Sequence, residues 1–156
     1  MSVTIQTGPF DAQAEADALR QGDLDVGATV TFVGTVRDLS EGDAVATLEL
    51  EHYPGMTERS LEAIVDEARA RFDVRGVRVI HRVGALAPGE PIVFVAVTSA
   101  HRGAAFDACR FVMDYLKTRA PFWKKERTPS GDRWVEARAS DDDAAARWSS
   151  GPAESA

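Results

Sequence analysis

Cysteine is almost absent from this sequence: Cys109 is the only one among 156 residues. That excludes an internal disulfide framework and a cysteine-rich metal site. Histidine is scarce as well. His52, His81 and His101 are the only three, none has a partner at i+2 or i+4, and a metal site would need them to converge from separate elements. Long apolar runs are missing too. Ile92 to Val97 is among the longest and is far too short to cross a bilayer. The opening Met-Ser-Val-Thr-Ile has no basic region leading into an apolar core, so no secretory signal is expected. Together these absences predict a cytoplasmic protein. No phosphate-binding G-x-x-x-x-G-K-[ST] or G-x-G-x-x-G follows a strand, and no G-x-S-x-G elbow presents a serine nucleophile. Net positive charge is lacking: the formal charge is −7 and the isoelectric point is near 4.9, which argues against a general nucleic-acid binder. No internal repeat is present.

What is there reads as alternating strands and helices. Val3 to Thr7 is a weak opening strand, and Asp11 to Arg20 a short helix. Ala28 to Arg37 alternates apolar and polar positions as a strand. Gly34 inside that run points to a bulge or a close backbone approach. Val45 to Tyr53 is a second strand, and the loop between the two has the length of a hairpin connection. Pro54-Gly55 has the chemistry of a tight turn with positive φ at the glycine. Thr57 is the expected N-cap of the next helix, whose stripe is Leu61, Ile64, Val65, Ala68 and Phe72. Val77 to Val83 is a strand. Pro91 to Thr98 is so continuously apolar that it predicts a central strand covered on both faces. Ser99 is the expected cap of a helix from His101 to about Arg119, with the stripe Ala105, Phe106, Cys109, Val112, Met113 and Leu116. Cys109 on that stripe reads as a buried, inert thiol. Pro121 ends the helix. Phe122 to Arg127 and Arg133 to Arg138 are strands about a turn, and Ser140 to Trp148 is a last short helix.

This order predicts one α+β or α/β domain over residues 1–148, with a mixed, mainly antiparallel sheet. Part of it, the Ala28 to Tyr53 hairpin with the late strands, would stand off as a small β subdomain. Residues 149–156 are small and polar and are expected to be a disordered tail.

Against the acidic background, Lys117, Arg119, Lys124 and Lys125 crowd the Pro-aromatic bend from Met113 to Glu126. Such a concentration is either a docking place for an anion or a solvated helix end, where bases are favoured in any case. Arg37 ends a strand, and His101-Arg102 opens the long helix, whose first amides attract anions. In a regular strand Phe122, Lys124 and Glu126 share one face and Lys125 takes the other. Arginine offers a bidentate fork to a phosphate or carboxylate. A lysine crowded by other cations holds its proton less tightly, which suits proton transfer or covalent attack.

Several strings occur in one order: Phe32-Val-Gly-Thr-Val-Arg37, Leu48-Glu-Leu-Glu-His-Tyr-Pro-Gly-Met-Thr57, Ile80-His-Arg82, Ser99-Ala-His-Arg102, Met113 through Lys124, and Trp134-Val-Glu-Ala-Arg138. From about Val26 to Trp148 the sequence closely resembles the large, catalytic subunit of molybdopterin synthase. The first 25 residues and the tail carry no part of that resemblance. It implies an α/β hammerhead fold with an extra β subdomain. It implies a sulfurtransferase of molybdenum cofactor biosynthesis, converting cyclic pyranopterin monophosphate to molybdopterin. The sulfur would come from a thiocarboxylate on the C-terminal Gly-Gly of a small ubiquitin-like subunit, with no cofactor of the enzyme's own. The implied assembly is a homodimer of large subunits carrying a small subunit at each end, a heterotetramer, with no nucleic acid or membrane partner. Carried over by position, Lys117 and Lys124 would be catalytic and also bind substrate. Arg37, His101 and Arg102 would form the pterin-phosphate pocket, the last two donated across the dimer. Met113, Glu126 and Arg138 would stand behind the pocket or touch the partner, and core packing is an equal reading for Met113. The competing reading is a non-catalytic module that captures the C-terminal tail of a ubiquitin-like protein with the same basic bend.

Overall fold

The computed structural model describes residues 2–40, 43–44, 46–135 and 139–149. Arg138 and the tail from 150 onward lie outside the described residues. The elements are β1 (Val3–Gln6), α1 (Ala12–Arg20), β2 (Ala28–Thr35), β3 (Leu39–Ser40), β4 (Asp43–Ala44), β5 (Thr47–His52), α2 (Met56–Arg71), β6 (Gly76–Arg82), β7 (Gly84–Leu86), β8 (Pro91–Ser99), α3 (Arg102–Arg119), β9 (Phe122–Thr128), β10 (Gly131–Val135) and α4 (Ala139–Ala146). The architecture is α+β, as the pattern predicts. Among the described residues no helix is long and apolar enough to cross a membrane.

Two four-stranded sheets carry the fold, one ordered β1-β6-β8-β2 and the other β10-β9-β5-β7. Among the described residues only β1 with β6 is parallel; the other pairings are antiparallel. The apolar run of β8 sits inside the first sheet, and Phe94, Val95, Ala96 and Val97 are all 0% exposed. Its two faces feed different cores. Val77, Val79, Val93, Val95 and Val97 join the α2 and α3 stripes, while Ile80, Phe94 and Ala96 meet Ala16 and Phe10 on the α1 side. Burial of such side chains, roughly 1.5–3 kcal/mol each, is what seats the helices on the sheet.

Four local expectations need correction. The strands Ala28–Thr35 and Thr47–His52 do not form a hairpin with each other. The first pairs with β8 and the second with β7 and β9, in different sheets; the short β3–β4 pair lies in the connection between them. Loop length licenses a hairpin but does not choose between it and longer-range partners. Thr57 does not cap α2. Gly55 occupies the cap with φ 86°, and the fully buried Thr57 hydroxyl instead accepts the Tyr53 N–H at 2.9 Å and donates to the Pro121 carbonyl at 3.1 Å. Ser99 does not cap α3 either, since His101 holds that position. The Ser99 hydroxyl accepts the His101 N–H at 3.2 Å and donates to the Asp73 carbonyl at 2.7 Å. Phe106, expected on the apolar stripe of α3, is 60% exposed; the buried face runs through Ala105, Ala108, Cys109, Phe111, Val112, Tyr115 and Leu116.

Candidate active site

A cleft of about 340 Å³ opens along the seam between the two sheets. Its walls come from distant parts of the chain: the end of β2 with Arg37, His81 on β6, Lys117 at the end of α3, Phe122, Lys124 and Glu126 on β9, and Asp141 on α4. Each is placed by a local cause. Gly34 lies where the β2–β8 register shifts. A Cβ there would fall 2.7 Å from Val93 Cγ1, so the bare backbone lets β2 bend and leave the sheet at Arg37. Lys117 stands in the last turn of α3, and Pro121 turns the chain at once into β9. The Thr57 hydroxyl on the Pro121 carbonyl pins that turn to the start of α2. Because side chains alternate along β9, Phe122, Lys124 and Glu126 enter the cleft together.

The other cations of the bend are engaged elsewhere. The Arg119 guanidinium lies 3.7 Å from the Tyr115 ring centroid and 3.7 Å from Glu67. Lys125 pairs with Asp132 at 3.7 Å and lies 5.8 Å from the Trp134 ring centroid. Phe122 faces the cleft, whereas Trp123 points out, 46% exposed, against Tyr53. Glu126 is buried and paired with Arg133 at 3.4 Å. Met113 packs against the core and does not line the cleft. His101 and Arg102 are exposed at the opposite end of α3, roughly 22 Å from Lys117 along the helix axis. A single protomer therefore joins Arg37, Lys117, Lys124 and Glu126, but not His101 and Arg102.

Two cleft residues escaped the sequence reading. The sequence offers His81 as a metal-ligand candidate and as part of the Ile80-His-Arg82 string, with no role in the cleft; yet it follows Val77 and Val79 on the face of β6 that packs against α2 and α3, a parity that marks it. Its ring stacks on Phe122 with centroids 3.9 Å apart and planes at 20°. Its Nδ1 lies 2.8 Å from the Arg82 carbonyl. Burial pushes the imidazole pKa down to about 3, with Lys124 and Lys117 adding to the effect and the bond to the Arg82 carbonyl opposing it. His81 is therefore neutral at any physiological pH. Asp141 had no signal in the sequence. It is brought to the cleft by α4, which is tied down when the Trp148 indole N–H donates to Asp114 at 2.7 Å and Arg71 donates to the Trp148 carbonyl.

Chemically, Arg37, Lys117 and Lys124 make the cleft an anion site, with Glu126 and Asp141 as its acids. No cluster of three or more possible metal ligands occurs among the described residues. No cysteine lines the cleft. Cys109 is buried in the core, and burial raises its thiol pKa to about 11, so it is a poor nucleophile.

Comparison with known proteins agrees with this chemistry. A sequence model described as MoaE protein matches residues 5–119. The molybdopterin synthase catalytic subunit of Escherichia coli is 60% identical over 146 residues, spanning 94% of this chain and 97% of that one. A solved structure, the molybdopterin biosynthesis MoaE protein from Burkholderia ambifaria, superposes with a TM-score of 0.81 at 57% identity, covering 94% and 97% of the two chains. At 20% identity the fold alone is shared with a protein-protein complex of subunits 1 and 2 of molybdopterin-converting factor from Helicobacter pylori, with a TM-score of 0.71 over 87% of this chain and 91% of that one. A family match across most of the chain and relatives at this identity and coverage lead to one conclusion: the chain belongs to the MoaE family, the catalytic subunits of molybdopterin synthase.

Proposed function

We propose that the inter-sheet cleft binds cyclic pyranopterin monophosphate together with the C-terminal thiocarboxylate of a small ubiquitin-like subunit. There it transfers sulfur to form the dithiolene of molybdopterin. The observation that carries this reading is the convergence of Arg37, Lys117 and Lys124 on one cleft, because both ligands are anions. A thiocarboxylate brings its own sulfur nucleophile, which fits a cleft with no cysteine in its lining. Arg37 binds the phosphate as a guanidinium fork. Lys117, at the mouth of α3, meets the thiocarboxylate and the intermediates as acid, base or transient covalent partner. Lys124 stabilises negative charge as it develops or carries a proton. Glu126, buried on Arg133, stands behind Lys124, and Met113 supports the helix that carries Lys117.

The small-subunit partner is supported by the Helicobacter pylori neighbour, which is solved as a two-subunit complex. His101 and Arg102 are too far along α3 to reach their own protomer's cleft. We assign them to the cleft of a second copy in a homodimer, where the start of α3 completes the phosphate pocket. The assembly is then a cytoplasmic heterotetramer, with no nucleic acid or membrane component.

Reconstitution with thiocarboxylated small subunit and the pyranopterin tests this. Lys117→Ala is expected to lower dithiolene formation by at least about 10²-fold, the usual scale of a lost proton-transfer group, with small-subunit binding retained. Arg37→Ala and Arg102→Ala are expected to weaken pterin binding. Normal turnover by Lys117→Ala would remove that lysine from the mechanism, and unchanged pterin affinity in both arginine variants would remove the phosphate pocket.

A further inference from the structure

The cations that line the cleft are accounted for by the anions it receives, but the neutral His81 is not. Its ring is held on three sides. The Phe122 face lies against it at 3.9 Å. The Arg82 carbonyl lies 2.8 Å from Nδ1 and can only accept, so Nδ1 carries the ring proton and the neutral tautomer places its lone pair on Nε2. The central position of β6, between β1 and β8, fixes the backbone beneath it. The residue is 4% exposed and lines the cleft. Among the described residues the ring's hydrogen bond is the one at Nδ1, and Nε2 has none.

Resting on the function proposed above, we infer that His81 Nε2 is a fixed hydrogen-bond acceptor for an N–H or O–H donor of the bound pterin, and so a binding and specificity residue of the cleft. The chemistry of the surroundings says why an imidazole stands there. Arg37, Lys117 and Lys124 offer donors, which suit phosphate and thiocarboxylate but not the donor groups of a reduced pterin ring. A further carboxylate at this position could accept from the ring, yet beside Glu126 and Asp141 its charge would add to the repulsion of the two anions the cleft must hold. A neutral imidazole accepts without that repulsion. Burial and the two lysines keep it neutral, so its acceptor nitrogen does not become a donor within the working pH range. The Phe122 stack and the Arg82 carbonyl prevent the ring from turning the protonated nitrogen to the ligand, which is the preorganisation a specificity contact needs. A site built around such an acceptor discriminates against an analogue that lacks the donor.

Two measurements test the inference. In the intact chain labelled with nitrogen-15 histidine, His81 is one of three imidazoles. Its unprotonated Nε2 resonance is expected to move toward the hydrogen-bonded position when cyclic pyranopterin monophosphate is added. In parallel, pterin affinity is measured for His81→Phe, which keeps the stack and removes the acceptor, and for His81→Gln, which returns an amide oxygen near the Nε2 position. The phenylalanine variant is expected to bind roughly tenfold more weakly, the net worth of about one hydrogen bond, with small-subunit binding unchanged and the glutamine variant recovering most of the loss. A pterin that binds the natural chain while the Nε2 resonance stays still overturns the inference, even if the variants do not fold. So does a folded phenylalanine variant with natural affinity, or a folded glutamine variant as weak as the phenylalanine one. Failure of the natural chain to bind the pterin at all overturns the function on which the inference rests, and the inference with it.

Discussion

At the scale of single residues, the site divides into groups whose charge advertises them and groups whose placement does the work. Lys117 and Lys124 belong to the first kind: the sequence shows them as cations out of keeping with an acidic chain, and the alternation of β9 already separates Lys124 from Lys125. His81 belongs to the second. Its parity with Val77 and Val79 is the one local mark it carries, because its role depends on Phe122, which is remote in sequence and meets it only across the seam between sheets. Its burial has a consequence for stability. The folded-state pKa, about 3, lies below the ordinary 6.5, so on acidification the unfolded chain takes up a proton that the folded chain refuses. The contribution is intact above about pH 6.5 and is lost progressively as pH falls toward about 3, at up to about 1.4 kcal/mol per pH unit. Urea unfolding of the natural chain and of His81→Phe across that window is expected to show the gap between them shifting in favour of the variant as pH falls. A parallel pH dependence of the two proteins would contradict the burial assigned to the imidazole.

At the scale of elements, the helices and most strands were legible because periodicity is local, whereas strand partners and caps were not. Leu61, Ile64, Val65 and Ala68 are buried as their spacing requires, and the proline after α3 ends it. The strand after the β2 loop chose β7 and β9 over β2, a decision made by packing between sheets and invisible in a loop of suitable length. Thr57 and Ser99 looked like caps because hydroxyl residues before helices usually are; here each hydroxyl ties backbone groups of different elements together. Thr57→Val is therefore expected to destabilise the protein by about 1–3 kcal/mol, the range for leaving buried backbone groups unpaired. It is also expected to loosen the bend that carries Lys124, seen as faster amide exchange at Phe122 and Trp123. At Gly34, where a glycine inside a strand points to a bulge or a close backbone approach, the structure has both a register shift and a close neighbour. The close approach of Val93 Cγ1 predicts a cost of about 1–3 kcal/mol for Gly34→Ala in denaturant unfolding, together with weakened pterin affinity as Arg37 is displaced.

At the scale of the whole molecule, the cleft is a property of two sheets and a terminal helix held at fixed spacing. Phe72, Phe111 and Trp148 form an edge-to-face cluster, with centroids 5.6–5.7 Å apart, that clamps α4 beside α3. Trp148→Phe keeps the aromatic contact but removes the indole N–H bonded to Asp114. It is expected to cost about 1 kcal/mol in thermal unfolding and to lower turnover more than stability, because Asp141 then loses its position at the cleft. Equal losses in both readouts would make the tether purely structural. The sequence could not announce this arrangement, since each end of the tether is an unremarkable polar or aromatic residue until the chain closes on itself.

That closure bears on how the protein comes into being. The shift at Gly34 sends the chain from the first sheet toward the second, and the residues that meet in the cleft after it arrive from β6, α3, β9 and α4 in turn. All four strands of the first sheet, β1, β6, β8 and β2, are made on the ribosome before β9 exists, whereas the cleft waits on contacts of long sequence separation. Binding competence is then a property of the finished chain: Phe122, Lys124, Glu126 and Asp141 all line the cleft from the last 35 residues, so no part of the chain that stops short of them has a complete place for either anion to dock.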